Sequence, residues 1–158
     1  MDPHDRLFRR SLRDVLVDQG VLTQEQADEL VESAYETNEP FGLVVVDAGY
    51  LTSWDLVKLI SSKYQLPVLP LAGYQFDTDL LETLSASTLY HYQIVPIARF
   101  GKSWTFSVVE PPSRDCIDTL REACGPSLFF FLSEAPDVQR TLSEYVKVVD
   151  AYGALLDG

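Results

Sequence analysis

The sequence predicts an α+β protein: a four-helix unit of two repeated αα-hairpins over residues 1–65, then a small αββαβα unit over 66–158. Three observations carry the prediction. A phrase of helix, glycine stop, threonine cap and helix occurs twice, 29 positions apart. The stretch "QLPVLPLAGY" then places Pro67 and Pro70 where a helix interior is excluded. Beyond it, short segments of alternating polarity replace the helical period.

In the first unit, Leu7, Phe8, Leu12, Val15 and Leu16 recur at helical spacing, and Gly20 follows where a left-handed exit residue belongs. Thr23 opens a second helix as a T-x-x-Q capping box with Gln26, carried through Leu30, Val31 and Tyr35 to the "TNEP" stop. Aligning Val15 with Val44 repeats the pattern: Gly20 falls on Gly49, Leu22 on Leu51, Thr23 on Thr52, Leu30 on Leu59 and Tyr35 on Tyr64. Each hairpin has an apolar stripe it cannot bury alone, so the two copies pack on each other. Such a pair is either a plain pseudo-symmetric bundle or a paired cleft for a two-fold ligand. Trp54 opens the fourth helix where the first copy has Glu25; it either packs on the second unit or forms an exposed patch with Val57.

In the second unit, the prolines make an edge strand or extended connector. Residues Asp79 to Tyr92 read as one helix with Leu80, Leu81 and Leu84 inward. "QIVPIARF" and "SWTFSVVE" alternate around Gly101 and Lys102 as a hairpin. "SRDCIDTLREACG" is a capped helix closing on Gly125, and the consecutive Phe129, Phe130 and Phe131 read as a short strand buried on both faces. The last helix runs from Pro136 with Val138, Leu142, Tyr145, Val146, Val149 and Tyr152 on one stripe, giving an extended C-terminal helix.

Composition narrows the function classes. A formal charge of −12 and a pI near 4.4 repel phosphate backbones and anionic lipid, so nucleic acid is not an expected partner. Four of the twelve basic residues, Arg6, Arg9, Arg10 and Arg13, nevertheless fall within the first thirteen positions. They form either a solvated face paired with nearby acids or a contact for an acidic partner or a phosphate. No segment has the eighteen or so consecutive apolar residues of a membrane span, and the N-terminus lacks a secretory apolar region. Cys116 and Cys124, roughly 12 Å apart if helical, are too distant for a disulfide and fit a reducing compartment. A cytoplasmic location is expected, with no membrane insertion.

Catalytic and metal motifs are missing from the sequence. Gly101-Lys102-Ser103 imitates a phosphate loop, but the position five residues earlier holds Pro96 and a strand, not a helix, follows. His4 and His91 have no metal-ligand spacing, and no nucleophile triad or dinucleotide fingerprint occurs. A non-enzymatic protein without a metal is the expectation.

The doubled "L-x-x-x-L-V-x-x-G-x-L-T" phrase, "QLPVL", the hairpin "YQIVPIARFGKSWTFSVVEP" and the helix "DTLREACG" together resemble the N-terminal domain of type II secretion and type IV pilus assembly ATPases, from about Ser11 to Tyr145. The resemblance implies a regulatory or protein-interaction module whose partner is a secretion, pilus or signalling component. It also implies a free-standing copy, because the chain ends soon after the point where an ATPase domain would join. Some members of that family bind cyclic di-GMP through tandem motifs, with apolar helix corners covering the guanines while Arg and Gln bond bases and phosphates. Carried onto this sequence, the ligand-binding candidates are Arg10, Leu12, Arg13, Leu16, Gly20, Phe41, Gly42, Val45, Gly49, Leu56 and Lys63, and the partner-binding candidates are Arg9, Arg10, Arg13 and Trp54. The polar anchors depart from the motif: the Arg positions hold Ser11 and Pro40, the early Gly of the first copy is Arg13, and the terminal Gln positions hold Ala34 and Lys63. Each lost charge-assisted hydrogen bond costs roughly 1.5–3 kcal/mol, which points to docking before ligand sensing, with cyclic di-GMP as the alternative.

Overall fold

A computed structural model describes residues 11–146, together with 148–149 and 155–156. The repeat governs the first half. Helices α1 (Leu12–Asp18) and α3 (Phe41–Asp47) begin 29 positions apart and have equal length. Both end in the same way: Gly20 and Gly49 take φ of +76° and +88°, and their N–H groups donate to Val17 and Val46 at 3.0 Å. That left-handed corner is open to glycine without a Cβ penalty. Helices α2 (Gln24–Thr37) and α4 (Ser53–Tyr64) then start 29 positions apart. Thr23 and Gln26 form the reciprocal capping box, and Thr52 accepts the Asp55 N–H at 3.0 Å. The copies diverge at their far ends: Tyr35 is 89% exposed, whereas its counterpart Tyr64 is buried.

The chain then crosses to the second half. Pro67 and Leu69 bond to the backbone of Leu132, so the proline-rich connector lies along the edge of a sheet. The expected single helix over 79–92 is instead two, α5 (Thr78–Leu81) and α6 (Ala86–Tyr92). The break has a local cause, since the Ser85 hydroxyl accepts the Thr88 N–H at 3.2 Å and starts a new helix. Leu81 and Leu84 still face inward. Strands β1 (Ile94–Phe100) and β2 (Ser103–Val108) form the antiparallel hairpin around Gly101 and Lys102, with Ile94 opposite Val108. A bulge between Pro96 and Ala98 absorbs the missing proline donor on this edge strand. The Gly101-Lys102-Ser103 run therefore sits at a hairpin tip with a strand after it.

Helix α7 (Arg114–Cys124) ends at Gly125 and returns the chain to β3 (Ser127–Leu132), parallel to β2 in the order β1-β2-β3. The triple phenylalanine is not buried on both faces: Phe130 packs against Phe106, while Phe129 is 57% exposed on an edge strand covered on one side at that point. The last helix, α8 (Ala135–Tyr145), is also shorter than expected. Val146 is already extended, and Val148–Val149 (β4) pairs antiparallel with Leu155–Leu156 (β5). The Val146, Val148 and Val149 cluster is β-branched and favours extended backbone. The Tyr90 hydroxyl lies 2.8 Å from the carbonyl oxygens of both Leu142 and Val146, which are buried, and so closes the helix end. Leu7, Phe8 and Tyr152, placed on helical stripes from the sequence, lie outside the described residues.

One apolar cluster runs through both halves, from Leu16, Val45 and Ile60 to Leu89, Phe106, Leu120 and Leu142. The helical hairpins thus share their core with the sheet.

Candidate functional site

Most of the motif positions serve packing. Leu12, Leu16, Val45 and Leu56 are buried in the shared core. Gly42 marks the closest approach among them: a Cβ there would lie 3.1 Å from Leu56 Cδ2, 3.4 Å from Leu12 Cδ2 and 3.7 Å from Glu110 Cβ. The motif thus joins α1, α3, α4 and the segment after β2 at one point. Around Gly20 and Gly49 there is open space, so those two glycines answer to backbone conformation alone.

The polar candidates are dispersed. Arg13 donates from Nε to Asp28 at 3.1 Å and from Nη1 to Asp14 at 3.0 Å, and hydrogen bonding to Asp28 raises its pKa. Lys63 stands exposed in the last turn of α4. Arg9 and Arg10 lie outside the described residues. Trp54 is 49% exposed, so it is not packed away under the second half; the patch with Val57 fails as well, because Val57 is buried.

The two halves are joined by a matched pair of carboxylates. Val108 and Leu132 are partners in the parallel register, and two residues beyond each lies a glutamate. Glu110 Oε2 accepts the backbone N–H of Gly42 at 3.3 Å, in the first turn of α3. Glu134 Oε1 accepts from the Ser53 hydroxyl at 3.0 Å, at the start of α4. Helix α3 needs such help. Ser11 caps α1 through the Asp14 N–H at 3.2 Å, but its counterpart Pro40 offers no side-chain acceptor. Burial pushes the Glu110 carboxyl up to about 7, against the opposing pull of the Gly42 and Phe41 N–H groups. The residue keeps partial access to solvent at the wall of a groove.

That groove encloses about 750 Å³ between α2, the α2–α3 turn, the end of α6 and the β2–α7 segment. Tyr35, Phe41, His91 and Tyr92 give it aromatic walls, and the Tyr92 hydroxyl donates to Asp115. Its charged lining residues are Glu39, Glu110 and Asp115, with no Lys or Arg among the described residues that line it. An anion would be repelled from it and a cationic, partly apolar group accepted. Cys116 borders the groove, but burial pushes its thiol up to about 12, so it is no nucleophile at neutral pH. Among the described residues no group of His, Cys, Asp and Glu could hold a metal ion.

Sequence reasoning did not find Glu110, Tyr92 or Asp115. A faint signal existed for the first: in "VVEPP" an acid ends an apolar strand and two prolines fix its exit.

A family model described as the MshEN domain matches residues 64–151. The type IV pilus assembly ATPase PilB of Myxococcus xanthus (strain DK1622) is 18% identical over 134 residues, covering 85% of this chain and 24% of the relative. The chain therefore spans about a quarter of that protein's length. A structure of MshE with cdg superposes with a TM-score of 0.61 at 19% identity, covering 87% of this chain and 99% of the other. Two structures of the N-terminal domain of XpsE give TM-scores of 0.59 and 0.61, at 14% and 15% identity, over 86% and 92% of this chain and 97% and 96% of theirs. No helix among the described residues is long and apolar enough to cross a membrane.

Proposed function

Because the chain belongs to the MshEN domain family, we propose that it is a non-enzymatic regulatory module that docks to a protein component of a secretion or pilus machine in the cytoplasm. In this reading residues 1–65 and 66–158 are two units that act together, joined through Glu110 and Glu134. The carrying observation is where the tandem motif lies. Its apolar positions Leu12, Leu16, Val45 and Leu56 are interior, and its Arg positions are Ser11 and Pro40, the residues at the N-caps of α1 and α3. A side chain engaged in capping, or a proline, offers no cation to a phosphate. The acid-lined groove offers none either, so a protein surface is the better-matched partner.

The test is capture from source-cell extract by the immobilised full chain, followed by identification of what is bound. A secretion or pilus component that is retained by the native chain and lost at least tenfold from Tyr35→Ala supports the reading. Recovery of no such component contradicts it.

A second reading is favoured by one observation, the likeness to the MshE structure solved with cdg. In that reading cyclic di-GMP lies at the paired corners around Gly20 and Gly49, with Arg10, Arg13 and Lys63 replacing the missing anchors. A saturable heat on titration with the dinucleotide would favour it over docking.

A further inference from the structure

The β1–β2 hairpin has two unlike ends. From Ile94 to Val108 it carries two cations, Arg99 and Lys102, and no acid, and both cations lie at the turn. The other end meets the groove: Ile94 and Val108, paired in register, both line it. Six steps of strand separate Ile94 from Phe100, a distance of about 20 Å. The turn therefore stands well away from the groove of its own molecule.

That turn projects into solvent with a fixed shape. Phe100 is 79% exposed, and a Cβ on Gly101 would meet nothing within 4 Å. Arg99 donates from Nε to the Gly101 carbonyl at 3.1 Å and lies over the Trp104 ring, 5.4 Å from its centroid, which holds the turn in place. Lys102 is exposed and pairs with no acid among the described residues. An aromatic ring and a cation, two residues apart, are thus left in water. The groove is their complement. It has aromatic walls in Tyr35, Phe41 and Tyr92, exposed carboxylates in Glu39 and Asp115, and a volume of about 750 Å³, within the range of pockets that enclose a ligand. A phenyl ring gains from aromatic neighbours, and an ammonium from carboxylates and ring faces together.

We propose that the groove is a self-association site: the Arg99–Lys102 turn of one copy seats in the groove of a second copy, with Phe100 between the aromatic walls and Lys102 facing Glu39 and Asp115. The net charge of −12 opposes association at long range. At about 0.15 M salt the screening length is roughly 8 Å, so the local match of turn and groove decides the outcome. The inference concerns the same groove as the docking reading but does not rest on it.

The experiment is sedimentation velocity on the purified full chain, from roughly 10 μM to 1 mM, the range in which weak association is read. It compares the native chain, Lys102→Glu, Glu39→Lys, and an equimolar mixture of the two variants. Both positions are exposed, and circular dichroism checks that each variant is folded. The native mass average should rise with concentration, and each variant alone should associate at least fivefold more weakly. The mixture should recover to within about twofold of native, because each turn then finds a groove of opposite charge. A native chain that stays monomeric throughout, a variant that associates as the native chain does, or a mixture that fails to recover would overturn the proposal. No partner is present in the readout. Partner capture by a monomeric chain therefore removes this inference alone, and self-association without partner capture removes the docking reading alone.

Discussion

Glu110 and Gly42, 68 positions apart, meet as carboxylate and backbone N–H at 3.3 Å, and this contact supplies the cap that Pro40 denies to α3. The repeated hairpin is thereby completed by a residue from outside the repeat. An N-cap acceptor removed from a helix costs roughly 0.5–2 kcal/mol. Replacement Glu110→Ala should accordingly lower stability by about that amount or slightly more, since a buried contact between halves is lost as well. Ser11→Ala removes the equivalent local cap from α1 and should cost about 1 kcal/mol. Urea unfolding of both variants at about pH 5, where the Glu110 contribution is still present, checks the pair, and a neutral Glu110→Ala there would contradict the capping role.

Glu110 should also give stability a pH dependence of unusual sign. Its folded carboxyl lies at about 7, above the ordinary value of 4.5, so the folded state holds its proton more tightly than the unfolded one. The associated stability is fully present below about pH 4.5 and is lost as pH rises toward and through 7. The effect is on the order of 3 kcal/mol at most, from 1.36 kcal/mol per pH unit. Measured as the difference between native chain and Glu110→Gln, unfolding free energy should fall between pH 5 and pH 7.5. A difference that stays flat across that range would show the carboxyl to be ordinary.

Substitution Gly42→Ala sets two effects against each other. Alanine favours the helix by roughly 0.5–1 kcal/mol, but its methyl would press on Leu56 at 3.1 Å and Leu12 at 3.4 Å. Overpacking in a tight core typically costs about 1–3 kcal/mol, so net destabilisation is expected. The double variant Gly42→Ala/Leu56→Ala should be less unstable than the sum of the two singles, because the second change removes the neighbour the methyl strikes. Thermal unfolding of the three variants decides, and strict additivity would contradict the contact.

The two corner glycines offer a check on the repeat itself. Gly20 and Gly49 share positive φ and open surroundings, so each change to Ala meets only backbone strain. That strain is about 1–2 kcal/mol, and the two variants should lose stability equally, by several degrees in Tm. A large inequality would mean that the halves of the repeat are not energetically alike.

Local signals made much of this fold legible. Thr23 with Gln26, Gly20 and Gly49, and the Gly101 turn are each set by residues within four positions, and the structure keeps them all. The misread elements turned on competition between local and distant partners. Ser85 starts a new helix where the leucine period runs on, and Tyr90 closes α8 from 52 positions away at a cluster of β-branched residues. Phe129 depended on how far the neighbouring cover extended over β3, which periodicity does not encode. The groove was least visible, because Tyr35, Glu110 and Asp115 share no local pattern and meet only once the two halves pack.

We propose, as the claim on which the docking reading turns, that the tandem motif positions in this chain hold the fold together and do not hold a dinucleotide. Isothermal titration of the full chain with cyclic di-GMP, at roughly tens of micromolar protein and low salt, tests it most directly. The account predicts no saturable heat; a micromolar isotherm that weakens on Lys63→Gln would contradict it.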